Sequence, residues 1–215
     1  MSTESQLRER MCLMAKSLYD RGLTHGSTGN ISVRLEDGRL LVTPTGSSFG
    51  FLDPADVSLL EPDGRHISGK KPTKELPLHT AFYGVRQAPT GAVVHLHSHH
   101  AVALSLSDGL DPDNVLAPLT PYAIMQLGRV RLLPYFQPGD PAMGAAVADL
   151  DRSVSAVILA NHGPVVAGAT LDKAVFAMEE LEATARLVLE TSSQKPRLLT
   201  KAQVAQLVAT FNIDL

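Results

Sequence analysis

Residues 92–97 read AVVHLH, and this apolar segment has the pattern of a β-strand. Alternate side chains of a strand point to the same face of a sheet, so His95 and His97 are expected to project together. Val94 and Leu96 then face the other way, toward a hydrophobic core. The segment therefore predicts a buried strand that presents two imidazole rings on one face.

Helical and extended patterns alternate on both sides of this strand. The spacing of apolar residues predicts a first helix that ends at Arg21-Gly22, and turn residues predict hairpins around residues 36–38 and 62–64. A long helix is predicted from Leu171 to Glu190, with Thr170 as its N-cap. Further strands are predicted at residues 31–34, 39–42, 130–133 and 154–159, and further helices around residues 78–85, 99–107, 142–150 and 202–210. The interleaving predicts the α/β class, or an α+β fold with a mixed sheet and flanking helices.

The composition is that of an ordinary globular protein. The 215 residues are 44% hydrophobic and 19% charged, so we expect one domain over residues 1–215 with a substantial core. The net charge of -3, without a basic block, argues against nucleic acid as a partner, and no apolar run is long enough to cross a membrane. The polar first ten residues and the single cysteine, Cys12, which we expect to be a buried and unreactive thiol, indicate a cytoplasmic protein.

The two histidines of residues 92–97 are the first candidates for metal ligands. Neutral imidazole suits zinc, and a catalytic zinc ion takes about three protein ligands and keeps one position open. His162 is the predicted third ligand, because it follows an apolar strand and precedes Gly163, a frequent place for functional side chains in α/β sheets. The other five histidines have other expected roles. His99 and His100 would be polar residues at a helix start, and His79 would be packed on a helix. His66 would be exposed beside a turn, and His25 would lie in a loop where it could touch substrate.

Two loops and one helix start have the composition of anion-binding sites. Residues 26–30 and 43–48 are rich in glycine and hydroxyl side chains, and the backbone N–H groups of such loops bind phosphate. Thr73 is the predicted N-cap of the next helix, Lys74 adds positive charge, and Glu75 lies in the predicted first turn. A carboxylate there also complements the helix dipole, so Glu75 has a structural as well as a functional interpretation. Together the three segments favour a phosphorylated substrate.

Five short motifs, taken in order, resemble those of the class II aldolase and adducin family: Gly29-Asn30, Thr45-Gly46, Thr73-Lys74-Glu75, His95-Leu96-His97 and Asn161-His162-Gly163. The resemblance covers nearly the whole chain. It implies a three-layer α/β/α fold in which a central mixed, mostly antiparallel sheet lies between helices. It also implies a homotetramer with the site near a subunit interface.

The resemblance further implies a role for each matching residue. His95, His97 and His162 would bind one zinc ion per subunit, or another divalent transition metal. Glu75 would be the catalytic acid/base and could approach the metal when substrate is absent. Tyr122 would be a proton donor across a subunit interface, with a packed aromatic side chain as the equal alternative. Phosphate would be held by Gly29, Asn30, Thr45, Gly46, Thr73 and Lys74.

Four segments resemble the branch of the family that decarboxylates phosphorylated 3-oxo sugar acids: residues 27–30, 44–47, 68–72 and 118–122. That activity converts a 3-oxo-tetronate 4-phosphate to dihydroxyacetone phosphate and carbon dioxide through a metal-stabilised enediolate. The alternative is a class II aldolase of the fuculose-phosphate type, which cleaves a ketose 1-phosphate to dihydroxyacetone phosphate and an aldehyde. Such aldolases have small hydroxyl residues before the glutamate, whereas Thr73-Lys74 favours a substrate with an added carboxylate. Phosphopentose 4-epimerases have aspartate in place of Glu75, and a non-catalytic adducin-like module would lack the metal ligands.

Overall fold

The computed structural model describes residues 3–86 and 89–213, and its centre is an eight-stranded β-sheet. The strands are β1 (Asn30–Arg34), β2 (Leu40–Val42), β3 (Ser58–Leu60), β4 (His66–Ser68), β5 (Ala92–His95), β6 (Val130–Leu133), β7 (Ala156–Leu159) and β8 (Gly163–Gly168). Their order across the sheet is β4-β3-β2-β1-β5-β8-β7-β6. Neighbouring strands run antiparallel except β6 and β7, which are parallel. The expected mixed, mostly antiparallel sheet is confirmed.

Helices surround the sheet: α1 (Glu4–Asp20), α2 (Leu76–Val85), α3 (His99–Ser105), α4 (Pro121–Leu127), α5 (Pro141–Ala148), α6 (Leu171–Thr191) and α7 (Lys201–Phe211), with a 3₁₀ turn at Phe49–Phe51. Thr170 caps α6 as predicted, because its side chain accepts the N–H of Lys173. Cys12 on α1 is half-buried rather than fully buried, and burial raises the pKa of its thiol to about 11, which leaves it unreactive at neutral pH. Over the described ranges, no helix combines the length and the apolar character needed to span a membrane.

Helices cover both faces of the sheet, so the three-layer architecture is confirmed. On one face, α1, α3, α4 and α6 bury apolar side chains against sheet residues such as Ile31 and Val94. On the other face, Phe82 of α2 and Met143 of α5 pack in the core that contains Val93. Val93 and Val94 are neighbours in β5 but belong to opposite cores, as the two-residue period of a strand requires. Each fully buried side chain of this size stabilises the fold by about 1.5–3 kcal/mol.

Two elements, β8 and α4, were not predicted from the sequence. β8 contains Gly163, Pro164 and Gly168, and glycine and proline normally interrupt a strand. Its partners on both sides, β5 and β7, hold it in the sheet nevertheless. α4 has an ordinary helix start, with Thr120 as the N-cap and Pro121 in the first turn.

The predicted start of α2 was wrong. Glu75 occupies the N-cap position of this helix, so Thr73 is not the N-cap. Thr73 is held instead in an extended segment, because its N–H donates to the carbonyl oxygen of Thr43 at 3.2 Å. Its hydroxyl accepts the N–H of Glu75, also at 3.2 Å. A β-bridge between Pro44 and Pro72 joins the same two segments, so the two predicted phosphate segments lie side by side.

Candidate metal and substrate site

Three strand ends meet at one edge of the sheet and carry the candidate metal ligands. β5 ends at His95 and lies between β1 and β8, both of which run antiparallel to it. The starts of β1 and β8 therefore lie at the end of β5, where Val165, the third residue of β8, pairs with His95. Asn30 pairs directly with His95, and His162 lies in the turn immediately before β8. This topology brings together residues that are far apart in the sequence.

The turn between β7 and β8 fixes the position of His162. Asn161 has a left-handed φ of 58°, which few residues other than glycine and asparagine adopt readily. Gly163 follows with a φ of 152°, and a Cβ at this position would lie 2.2 Å from the carbonyl oxygen of Leu96. Only glycine lets β8 begin so close to the segment that follows β5. The turn thereby places His162 against His97.

The imidazole rings of His95, His97 and His162 face one another. One ring nitrogen from each can be chosen so that all three lie within 4.8 Å of one another. The Nε2 atoms of His97 and His162 are 3.1 Å apart. The Nδ1–H of His95 donates to the carbonyl oxygen of Pro164 at 2.9 Å, which orients the ring and leaves Nε2 as a free acceptor. That Nε2 atom is buried without a hydrogen-bond partner, and a bound cation would satisfy it.

The surroundings keep all three imidazoles neutral. Burial lowers the pKa of His95 well below its usual value, and the neighbouring rings of His162 and His97 lower it further. Burial, and then the nearby His162, lower the pKa of His97 to about 4. Burial also lowers the pKa of His162, against the opposing effect of Glu75. Neutral imidazole is the form that binds a metal, so the cluster offers three nitrogen lone pairs at neutral pH.

Glu75 faces this cluster from the start of α2, and its side chain is buried. Its Oε2 lies 3.5 Å from Nε2 of His95, and its Oε1 lies 3.4 Å from Nε2 of His162. Oε2 also accepts a 2.7 Å hydrogen bond from Nδ2 of Asn30. The side chain makes no capping hydrogen bond to α2, so its contacts are with the imidazoles rather than with the helix. Three imidazoles and a carboxylate form a donor set that suits a divalent metal ion.

A pocket of about 240 Å³ opens beside the cluster. The lining contains every residue that was predicted to hold phosphate, and it also includes Pro138, which sequence reasoning missed. The side chains of Thr45 and Lys74 are exposed in the pocket, whereas Asn30 is buried. The lining residues are Ser27, Thr28, Gly29, Asn30, Pro44, Thr45, Gly46, Thr73, Lys74, Glu75, His97, Pro138 and His162. A larger groove of about 450 Å³, next to α1 and the turn between β1 and β2, contains none of the candidate residues.

The other five histidines lie outside the cluster. His66 is exposed on β4, and His99 and His100 form the start of α3, as expected. His79 is fully buried on α2 with hydrogen-bond partners on both ring nitrogens, which agrees with a packed position. His25 is exposed in the loop before β1 and is not part of the pocket lining.

Tyr122 lies at the start of α4, and 61% of its surface is exposed. It is therefore not a packed aromatic within this chain. It is also not among the residues that line the pocket. A catalytic role for Tyr122 thus requires a second chain.

Sequence reasoning also missed Glu182, a residue of α6 that anchors the segment after His97. Its carboxylate accepts the backbone N–H groups of His100 at 2.8 Å and of Ala101 at 2.9 Å. These bonds satisfy two of the free N–H groups at the start of α3. The contact joins segments that are distant in the sequence, so no local pattern could have indicated it.

Comparisons with known proteins point to one family. Residues 9–189 match the model of the class II aldolase and adducin N-terminal domain. The chain is 52% identical over 187 residues to the 3-oxo-tetronate 4-phosphate decarboxylase of Cupriavidus necator, with coverage of 87% of this chain and 85% of the relative. It is 31% identical over 211 residues to the L-fuculose phosphate aldolase of Haemophilus influenzae, with coverage of 97% and 94%. The fold is also similar to the crystal structure of YgbL from Klebsiella pneumoniae, which is described as an aldolase, epimerase or decarboxylase. The two structures superpose with a TM-score of 0.93 and 46% sequence identity, and the match covers 96% of this chain and 100% of that chain.

Proposed function

The chain belongs to the class II aldolase and adducin family, and on that basis we propose that it is a metal-dependent decarboxylase of a 3-oxo-tetronate 4-phosphate. The products are dihydroxyacetone phosphate and carbon dioxide. Decarboxylases and aldolases of the family both break a carbon–carbon bond, so the chain is a carbon–carbon lyase. We favour the decarboxylase over the aldolase because the chain is 52% identical to a decarboxylase and only 31% identical to an aldolase.

Zinc is the metal that we propose for the cluster of His95, His97 and His162, one ion per chain. Three neutral imidazoles with an open position are the usual ligand set of a catalytic zinc ion. The buried Nε2 of His95, which has no other partner, supports this assignment. Glu75 would be the fourth ligand until substrate arrives. When bound, the ion supplies a Lewis acid that polarises the ketone oxygen of the substrate.

The pocket residues would bind the two anionic ends of the substrate. Backbone N–H groups and hydroxyls near Gly29 and Thr45 suit a phosphate group. Lys74 is the only lysine or arginine among the described lining residues, and its exposed side chain adds a positive charge. A substrate with both a phosphate and a carboxylate gains more from this charge than a ketose 1-phosphate does.

Glu75 would deliver the proton that completes the reaction. Loss of carbon dioxide breaks the bond between the carboxylate carbon C1 and the hydroxyl-bearing carbon C2. The electron pair of that bond forms a double bond between C2 and C3, while the π pair of the ketone moves onto its oxygen. When the ketone forms again, C2 must gain a proton. Glu75 lies within 3.5 Å of both His95 and His162, next to the pocket, where its carboxylate can take up a proton from solvent and then act as the general acid.

A substrate comparison tests the proposed activity. We expect the purified, metal-loaded protein to release dihydroxyacetone phosphate from an erythro or threo 3-oxo-tetronate 4-phosphate. The expected kcat/KM is about 10²-fold or more above that for fuculose 1-phosphate and other ketose 1-phosphates, because the pocket recognises the additional carboxylate. A coupled assay of dihydroxyacetone phosphate measures both reactions. Faster release from a ketose 1-phosphate would favour the aldolase instead.

The phosphate pocket can be tested at Thr45, whose side chain is exposed in the pocket. We expect Thr45→Val to raise KM about 10-fold or more, because a hydrogen bond to a charged group contributes about 1.5–3 kcal/mol. Metal content and melting temperature should stay unchanged, since the substitution preserves shape. Thr210→Val, at an exposed position of α7, is the matched control. Equal turnover of the unphosphorylated acid would show that this pocket does not hold phosphate.

We also propose that the active protein is a homotetramer in which Tyr122 reaches the site of a neighbouring subunit. The exposure of this side chain, and its position outside the pocket of its own chain, support the proposal. The mass of the protein in solution tests the assembly, and a monomer that is fully active would contradict it.

A further inference from the structure

A buried chain of hydrogen bonds leads from Glu75 into the core between the sheet and α2. Nδ2 of Asn30 donates to Oε2 of Glu75 at 2.7 Å. The Oδ1 atom of the same amide accepts a hydrogen bond from Nε2 of His79. The Nδ1 atom of His79 lies 2.8 Å from Oγ of Ser32, and this oxygen lies 2.8 Å from the hydroxyl of Tyr83.

The carboxylate at the end of this chain determines the direction of every bond in it. A carboxylate only accepts hydrogen bonds, so Asn30 must turn its NH₂ group toward Glu75 and its carbonyl oxygen toward His79. His79 must then carry its proton on Nε2, and its Nδ1 must accept the hydroxyl proton of Ser32. Ser32 in turn accepts from Tyr83. In this arrangement each of the four contacts joins one donor to one acceptor.

The middle of this chain is shielded from water. Ser32 and His79 have no exposed surface, and Asn30 is 6% exposed. Burial lowers the pKa of His79 to about 3, so the ring is neutral and has one donor and one acceptor. Burial also raises the pKa of Tyr83 above its usual value, so this residue remains a phenol and a donor.

We propose that His79 is a positioning residue for the reaction: its Nε2–H fixes the orientation of the Asn30 amide, and the amide fixes the carboxyl group of Glu75. The inference rests on the proposed role of Glu75 as the acid. His79 is not among the residues that line the pocket, so it acts only through Asn30. It lies one helical turn after Glu75, and its backbone N–H donates to the carbonyl oxygen of Glu75 at 3.4 Å. Ring and carboxylate therefore belong to the same rigid helix start.

Loss of the His79 donor removes one of the two hydrogen bonds that hold the Asn30 amide in the observed orientation, and only the bond to Glu75 is left. After a 180° rotation, the carbonyl oxygen of Asn30 would face the Glu75 carboxylate, and two acceptors at this distance repel each other. Glu75 would then leave its place beside the imidazoles. A displacement of a reacting group by ~1 Å can cost about 10²-fold in rate, so the effect falls on kcat.

Two amide variants of His79 test the proposal. A glutamine amide can occupy the place of Nε2 and donate to Asn30, whereas the shorter asparagine amide reaches only toward Ser32. We expect His79→Asn to lower kcat about 10-fold or more, with KM and metal content nearly unchanged, and His79→Gln to keep most of the turnover. His66→Asn, the same substitution at an exposed histidine of β4, should leave kcat nearly unchanged. Equal losses of kcat in the two amide variants, or no loss in either, would overturn the proposal.

A second measurement needs no substrate. In protein labelled with ¹⁵N-histidine, NMR should show His79 as a neutral ring with its proton on Nε2, and the signal should be absent from His79→Gln. A proton on Nδ1 would overturn the proposal, because the Asn30 amide could not then be oriented as inferred. Since the tautomer is observed without turnover, an error in the proposed reaction and an error in the role of His79 can be told apart.

Discussion

Glu75→Gln is expected to give a folded, metal-loaded protein whose kcat is lowered ~10²-fold or more. Glutamine has the same size and can still accept the hydrogen bond from Asn30, but its amide cannot supply a proton to carbon. Because Glu75 makes no capping hydrogen bond to α2, loss of its charge should cost only ~0.3–1 kcal/mol of stability. The substitution keeps the contact with Asn30 and leaves the loops near Gly29 and Thr45 unchanged, so KM should change little.

Three measurements on Glu75→Gln separate a catalytic role from a structural one. They are kcat, the melting temperature, and the incorporation of solvent deuterium at the carbon that loses carbon dioxide. Glu61→Gln, which removes a half-buried carboxylate paired with Arg65 away from the site, is the matched control. If Glu75→Gln kept most of its turnover and only melted slightly earlier, the acid would have to be another group, with Tyr122 the next residue to test.

Replacing any one of the three clustered histidines with alanine is expected to remove the divalent ion and nearly all turnover. Loss of a direct ligand should weaken metal binding by more than the ~10–100-fold typical for a residue that only orients a ligand. His97→Ala is the easiest of the three variants to interpret, because it should disturb packing least. His97 is half-buried, whereas truncating the buried His95 or His162 also leaves a cavity.

Metal analysis after dialysis measures this effect directly, with His66→Ala as the control at an exposed position. A ligand that binds only the native state at 1,000 times its Kd adds about 4 kcal/mol to stability. A chelator should therefore lower the melting temperature of the wild-type protein but not that of His97→Ala. Full metal occupancy in His162→Ala would show that the third ligand has been assigned wrongly.

The shared face of His95 and His97 could be predicted because the two-residue period of a strand is a local property. β5 ends at His95, yet the N–H of Leu96 still donates to the carbonyl oxygen of Pro164 at 3.2 Å, so the alternation continues to His97. Val94 and Leu96 lie in the predicted core. The pattern of the six residues 92–97 was therefore enough to identify two members of the cluster.

The remaining parts of the site depend on contacts between distant segments. β8 has the glycine and proline content of a loop, and it becomes a strand only because β5 and β7 pair with it. Thr73 is of a residue type that is common at N-caps, but its backbone N–H donates a hydrogen bond to Thr43 in a different part of the chain. The role inferred for His79 had one local signal, since it lies four residues after Glu75 on a helix. Its partners Asn30 and Ser32 come from β1, which the helix pattern could not indicate.

The pairing of β5 with both β1 and β8 also determines when the protein can acquire its ion. The candidate ligands converge only after these three distant strands have paired, and such non-local pairing is a slow part of folding. During synthesis, β8 leaves the ribosome long after β1 and β5, so a partial chain lacks the third imidazole in its final place. Unlike a zinc finger, whose short segment folds around its ion, this chain must complete its central sheet first. Bound metal is therefore a marker of finished folding, and partial unfolding at β8 would release it.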